Sequence, residues 1–207
     1  ALWLWWWLSR RSQPADADPL ALAMKLVNRG DDTRALAALD RAAAEQPTNP
    51  LVWTLRGSLL TRMEQRDTAL DSFDRALHIQ ADYPAILVGK GNMLALLGRD
   101  QEALSHFDRA ITSNTSLPEL GAGARTAGTL LVSGTALTVR ALVGKGKSLL
   151  TLGQPQTALD VFNQALALEP DSVDALAGRN HALNTLGNVM PPLNGSAAVP
   201  SDGIAHG

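Results

Sequence analysis

One string in this sequence has the residue types of a phosphate-binding loop: Ala141-Leu-Val-Gly-Lys-Gly-Lys-Ser148, which ends in Gly146, Lys147 and Ser148. Such a loop needs a strand before it, a glycine-rich turn whose amides cradle phosphate, and a helix after it. Here Ala141 stands where the first glycine belongs. The core Leu142-Val-Gly-Lys-Gly146 also recurs as Leu87-Val-Gly-Lys-Gly91, followed by Asn92 and Met93, a context in which no phosphate site fits. The duplication points to helical packing instead. His78, His106, His181 and His206 are isolated. No histidine pair sits at i, i+4 beside a carboxylate, so neither a zinc site nor a histidine-based triad is supported, and His78 and His106 are expected to decorate helix surfaces. Asp71, Asp74 and Asp108 fall on the polar faces of amphipathic segments, where carboxylates are simply solvated. Without cysteine there is no thiolate nucleophile, thiolate metal site or disulfide. The expectation is a non-enzymatic protein with no cofactor and no metal.

The composition narrows the class further. The chain has 207 residues, a net charge of -2 and a pI of about 6.1, without the basic excess that phosphate contacts demand, so no nucleic-acid partner is expected. At 45% hydrophobic and 18% charged it can bury a sizeable core. Alanine and leucine dominate and aromatics are only 4%, which favours helices over strands.

Small and apolar residues recur every 34 residues: Ala35, Ala69 and Ala103; Leu39, Phe73 and Phe107; Ala42, Ala76 and Ala110. A fourth copy, from Val139 to Pro170, restores the pattern with Leu142, Gly146, Leu149, Gly153, Ala158, Phe162 and Ala165, 55 residues beyond the third copy. An insertion of about 21 residues accounts for the difference, since 55 exceeds 34 by that amount. Each unit divides into two helical segments. In the second, apolar residues fall at i, i+3, i+4 and i+7, as in Ala69, Leu70, Phe73, Ala76 and Leu77. Gly30, Gly98 and Gly153 lie between the segments, where a left-handed residue closes a helix, and Asp31, Asp67 and Asp100 stand where an N-cap is useful. Gly57, Gly91 and Gly146 are expected to face Ala69, Ala103 and Ala158, letting the two axes approach, while Phe73, Phe107 and Phe162 fill the space between units.

These residues resemble the tetratricopeptide repeat family. Its pattern is matched by Trp53, Gly57, Leu60, Ala69, Phe73 and Ala76, by Leu87, Gly91, Leu94, Ala103, Phe107 and Ala110, and by the fourth copy through to Pro170. The first unit is degenerate, with Pro19, Ala23, Leu26, Ala35, Leu39, Ala42 and Pro47, and the closing Pro is missing at Ala81 and Thr115. The half unit Val173 to Gly187 looks like a solvating C-terminal helix. The resemblance implies an all-α, right-handed α-solenoid of about four helix-turn-helix repeats plus that capping helix over residues 16–187. It further implies a protein-protein interaction scaffold that binds a partner peptide or subunit in its concave groove. On the family pattern the groove positions are Thr54, Ser58, Thr61, Val88, Asn92, Arg140, Val143, Lys147 and His181, with Ala95 and Ala177 between them. Arg140 and Lys147 suit a carboxylate, and Asn92 suits a peptide backbone. Family members that hold a chaperone tail use Lys and Asn in the first repeat, where Leu20 and Met24 stand here.

Three segments lie outside the repeat pattern. Residues 116–138 carry four glycines and only Glu119 and Arg125 as charges, which predicts a mobile loop with a partial helix. Residues 188–207, with Pro191, Pro192 and Pro200, read as a disordered tail. Residues 1–15 begin with a Trp-rich apolar run in which Trp3, Trp5, Trp6 and Trp7 are followed by Arg10 and Arg11. Eight apolar residues are too short to span a bilayer as a helix, but tryptophans favour its interface and an arginine pair favours the cytoplasmic side. The second functional expectation is therefore a membrane-tethered assembly factor with a cytoplasmic body; the alternative for this run is an apolar arm packed on the first helices or on a partner.

The helical reading of the Gly-Lys-Ser string gives a direct expectation. Magnesium and ATP at millimolar concentration leave the melting temperature unchanged, whereas a bound nucleotide near saturation raises stability by about 3 kcal/mol or more.

Overall fold

A computed structural model describes residues 18–115 and 134–189. The described residues form nine helices in chain order: α1 (Pro19–Asn28), α2 (Asp32–Glu45), α3 (Pro50–Arg62), α4 (Arg66–Ile79), α5 (Pro84–Leu96), α6 (Asp100–Thr115), α7 (Gly134–Thr151), α8 (Pro155–Leu168) and α9 (Val173–Val189). The odd-numbered helices are the first, or A, helices of the units, and the even-numbered ones are the B helices. The Trp-rich run and the C-terminal tail from residue 190 onward lie outside the described residues, as does most of the insertion.

Punctuation explains the boundaries. Pro19, Pro50, Pro84 and Pro155 open four of the helices, where the missing amide costs nothing and the ring pre-sets φ. Asp18 and Asn49 accept from the amides of Leu20 and Leu51, each at 3.1 Å. Four A helices, α1, α3, α5 and α7, close the same way. The amides of Asp31, Gln65, Arg99 and Gln154 reach back to the carbonyls of Leu26, Leu60, Leu94 and Leu149 at 2.9 to 3.1 Å. This six-to-one closure needs a left-handed residue just before it. Gly30, Gly98 and Gly153 supply it with φ of 75°, 72° and 71°, and Glu64 is forced into the same region at 60°.

Two expectations about local structure are corrected. Of the three aspartates read as caps, only Asp31 acts as one, accepting from the amide of Arg34 at 3.3 Å. Helix α4 is capped at Gln65 without a side-chain bond, and α6 already includes Asp100, so Asp67 and Asp100 sit in first turns, where negative charge favours the helix dipole. Residues 134–138, placed in the insertion by the sequence, open α7, with the Thr138 hydroxyl donating to the Gly134 carbonyl at 3.2 Å. No proline marks the start of this helix, so it extends about a turn beyond Val139, the register position of Pro50 and Pro84.

The core is built on three phenylalanines. Gly57, Gly91 and Gly146 lie tightest against a phenyl ring of their own unit, a contact the sequence expectation did not name. A β-carbon on them would come within 2.9, 2.7 and 2.6 Å of Phe73, Phe107 and Phe162 respectively. Each ring also meets a second glycine, on the A helix of the next unit. A β-carbon at Gly89 would lie 2.6 Å from Phe73, one at Gly144 would lie 2.5 Å from Phe107, and Gly178 stands equally tight against Phe162. The rings are 0 to 1% exposed. Because Phe107 is seated on Gly144, and α6 packs on α7, the stack continues across the insertion without a break. Successive A helices α3, α5, α7 and α9 touch each other, whereas consecutive B helices do not pack together in this way, so the layer of A helices lies on the inner side of the curve.

Two substitutions on helical glycines should therefore have opposite signs. Gly89→Ala should destabilise the protein by about 1–3 kcal/mol, because a β-carbon there would lie 2.6 Å from the buried Phe73 ring, which is also packed on Gly57. Gly187→Ala, where nothing lies within 4 Å, should stabilise it by up to about 1 kcal/mol through helix propensity alone. Glu64→Gly should add about 1 kcal/mol by relieving the left-handed strain. Equilibrium urea unfolding of the three variants checks these signs.

Candidate functional site

The inner layer is where the expected groove residues fall, and the structure sorts them by access. Thr54, Val88 and Val143 are buried; the Thr54 hydroxyl donates to the Pro50 carbonyl at 2.7 Å. Thr61 is half-buried, its hydroxyl donating to the Gly57 carbonyl at 2.8 Å and lying 3.6 Å from the sulfur of Met93. Asn92 is also half-buried, with its Oδ1 turned toward Gly144, so it spans the gap between α5 and α7. Ser58, Arg140, Lys147 and His181 are exposed. Arg140 and Lys147 lie two turns apart on one face of α7. Lys147 Nζ donates to Asp174 Oδ1 on α9 at 3.1 Å, an exposed pair of little energetic weight. Arg140 has no ion-pair partner among the described residues. The inner surface is therefore small and neutral along α3 and α5 and basic along α7. The four tryptophans expected at a membrane, Trp3, Trp5, Trp6 and Trp7, lie outside the described residues.

The Gly-Lys-Ser string is helical throughout. It runs through the middle of α7, with Gly144 and Gly146 packed on Phe107 and Phe162 and Ser148 1% exposed.

Three features of the outer side were not anticipated from the sequence. The first is a repeated ion pair between a B helix and the next A helix, at the α2–α3, α4–α5 and α6–α7 junctions. Arg56 Nε donates to Asp40 Oδ1 at 2.8 Å, Lys90 pairs with Asp74, and Lys145 Nζ donates to Asp108 Oδ1 at 2.6 Å. The signal was legible: each cation immediately precedes a packing glycine, and each aspartate immediately follows Leu39, Phe73 or Phe107. The second is a cleft of about 480 Å³ between α2 and α4, floored by Trp53 and Arg56 and bordered by Asp71 and Arg75. The Arg75 guanidinium lies 4.7 Å from the Trp53 ring centroid, and Trp53 Nε1 donates to the Pro47 carbonyl at 2.8 Å. Ala43 and Ala44 leave the cleft open, whereas the equivalent positions one unit on are Leu77 and His78.

The third is His106. Expected on the surface, it is half-buried, and its Nδ1 has no hydrogen-bond partner. Burial, and then the nearby cations Lys90 and Arg109, hold its pKa below the ordinary imidazole value, against the opposing pull of Asp74 and Glu102.

A tetratricopeptide repeat model matches residues 54–118 and 138–189. No curated protein matches the sequence. Among solved structures, the type IV pilus biogenesis factor PilW is 23% identical, over 82% of this chain and 75% of its own, with a TM-score of 0.63. PilF of Pseudomonas aeruginosa is 16% identical over 82% of this chain and 68% of its own, with a TM-score of 0.67. YrrB, a TPR protein with an unusual peptide-binding site, is 20% identical over 82% and 77%, with a TM-score of 0.59. At these identities the likeness is one of fold.

The sign of the His106 effect is fixed by its depressed folded-state pKa. In the unfolded chain the imidazole takes up a proton as pH falls through about 6.5, and in the folded protein it resists. Its contribution to stability is complete above that pH and is lost progressively as pH falls toward the folded-state value. Urea midpoints measured from pH 7.5 downward should decline more steeply in the parent than in His106→Gln.

Proposed function

Because the chain belongs to the tetratricopeptide repeat family, we propose that it holds a partner peptide or subunit against the concave, inner surface of its A helices. Repeats of this family mediate protein-protein interactions, and the scaffold is typically non-catalytic. The observation that carries the groove reading is the continuity of the inner layer. Helices α3, α5, α7 and α9 touch in sequence across the insertion, so one surface extends from Ser58 to His181. Along it, Ser58, Thr61 and Asn92 offer neutral hydrogen-bonding groups, and Arg140 and Lys147 offer positive charge. A segment with polar backbone exposure at one end and carboxylates at the other matches that sequence of chemistry.

A second reading rests on the Trp-rich segment. Trp3, Trp5, Trp6 and Trp7, followed by Arg10 and Arg11, would tether the array to a membrane surface with its body on the cytoplasmic side, where it would collect subunits for assembly. PilW, which shares the fold, is a pilus biogenesis factor. None of the described helices is long and apolar enough to cross a membrane, so the tether would lie in this segment.

The groove test uses Arg140→Glu with Lys147→Glu, since both side chains are exposed and the Phe-Gly seats are untouched. A binding partner captured by the intact chain should be lost from the double variant at unchanged helical circular dichroism; equal capture by both excludes the basic half of the groove. Liposome flotation that is abolished by removing residues 1–11 supports the tether, and flotation independent of them excludes it.

A further inference from the structure

Every complete repeat seats a B helix on one face of its A helix. Leu60, Leu94 and Leu149 share one register position on α3, α5 and α7 and are 1, 1 and 4% exposed. Leu183 occupies that position on α9 and is 47% exposed, and Val173, whose counterpart Val139 is 4% exposed, stands at 80%. An A-helix face is thus complete in its apolar residues but carries no B helix among the described residues. Thirty-four residues on from Ala158, Phe162 and Ala165 the sequence has Pro192, Ser196 and Val199 in place of the repeat's pattern.

An independent electrostatic observation marks the same end. The ion-pair row of Arg56 with Asp40, Lys90 with Asp74 and Lys145 with Asp108 reaches α9 as Arg179, but the register sets Asn163 opposite it. Arg179 keeps the cation and loses the carboxylate, and its Nε is buried without a hydrogen-bond partner. Arg56 shows how such a cation is used when both neighbours are present. It donates through Nε to Asp40 on the preceding B helix and through Nη1 to Ser72 on its own B helix at 2.8 Å. For Arg179 the first neighbour is the neutral Asn163, and the second has no counterpart among the described residues.

We propose that the C-terminal end of the array is a docking surface for an amphipathic helix of a partner protein, seated where a further B helix would lie, with a carboxylate paired to Arg179. The acid belongs at the position that Ser72 holds on α4, since that position faces the cation, and a formal charge there compensates for Asn163. Apolar residues of the helix cover Leu183 and Val173. Asn180 stands where Gly57, Gly91 and Gly146 admit a phenyl ring, so the docked helix carries a small residue there. This surface is distinct from the inner groove and stands or falls independently of it.

The probe is a fluorescent synthetic peptide with the sequence of residues 65–80, a B helix of this chain, carrying Ser72→Glu and Phe73→Ala, titrated against the full chain. Saturable binding is expected. It should weaken about tenfold or more in Arg179→Glu and recover when the peptide carries Ser72→Lys instead, and Leu183→Asp should abolish it at unchanged circular dichroism. Absence of saturable binding, or equal binding to Arg179→Glu and Leu183→Asp, overturns the proposal. So does concentration-dependent dimerisation of the chain alone that Leu183→Asp removes, because the occupant is then a second copy.

Discussion

The structure depends on a phenyl ring held between two helical glycines. In three successive units a fully buried phenylalanine from the B helix packs against a glycine of its own A helix and a glycine of the next. These glycines serve by their lack of volume, inside regular helices, where each costs up to about 1 kcal/mol relative to alanine. The arrangement persists because the ring recovers that loss through burial and dispersion contacts. It also fixes two distances at once, the spacing within a unit and the spacing between units. The inner layer of touching A helices, and hence the groove, is a geometric consequence of where those rings sit.

The ion-pair row has a different role. Each pair is partly exposed and contributes no more than about 1 kcal/mol, so it does not hold the array together. A cation beside each packing glycine, matched to an aspartate after Leu39, Phe73 and Phe107, does penalise a slip of one unit against the next across the first three junctions. Lys145 pairing with Asp108 shows this registration surviving the insertion. A long connection between two such fixed ends costs little additional closure entropy, since that cost grows only logarithmically with length. The array can therefore carry an insertion without changing how α6 meets α7.

Much of this was legible in the residues. The period of 34, the prolines at helix starts and the glycines at the A-to-B turns each follow from a local backbone requirement, and local requirements are written directly in sequence. What resisted reading depended on neighbours distant in the chain. The glycine column marks a place of close approach, but a single sequence does not say that the Phe73 ring is what lies tightest against it. The second glycine of each seat, Gly89, Gly144 or Gly178, belongs to another unit and carries no local signature. Glu64 shows the reverse case: the turn closes with the same hydrogen bond as its glycine counterparts, so tertiary packing outweighs an unfavourable local residue there. The amphipathic pattern of α6 places His106 on its surface, whereas in the structure it is half-buried with Nδ1 unpartnered. In the groove, pattern alone placed Thr54, Val88 and Val143 beside Arg140 and Lys147, whereas packing separates them into buried and accessible sets.

The most direct test of the central claim is a double-mutant cycle between Phe107 and Gly144, which touch across the insertion. Four proteins are unfolded in urea: the parent, Gly144→Ala, Phe107→Ala and the pair. If the ring is what the glycine accommodates, Gly144→Ala is destabilising in the parent and becomes neutral or stabilising once Phe107 is alanine, a coupling of about 1–3 kcal/mol. If Gly144→Ala costs the same in both backgrounds, the ring and the glycine do not define the seat, and the account of how consecutive repeats are spaced is wrong.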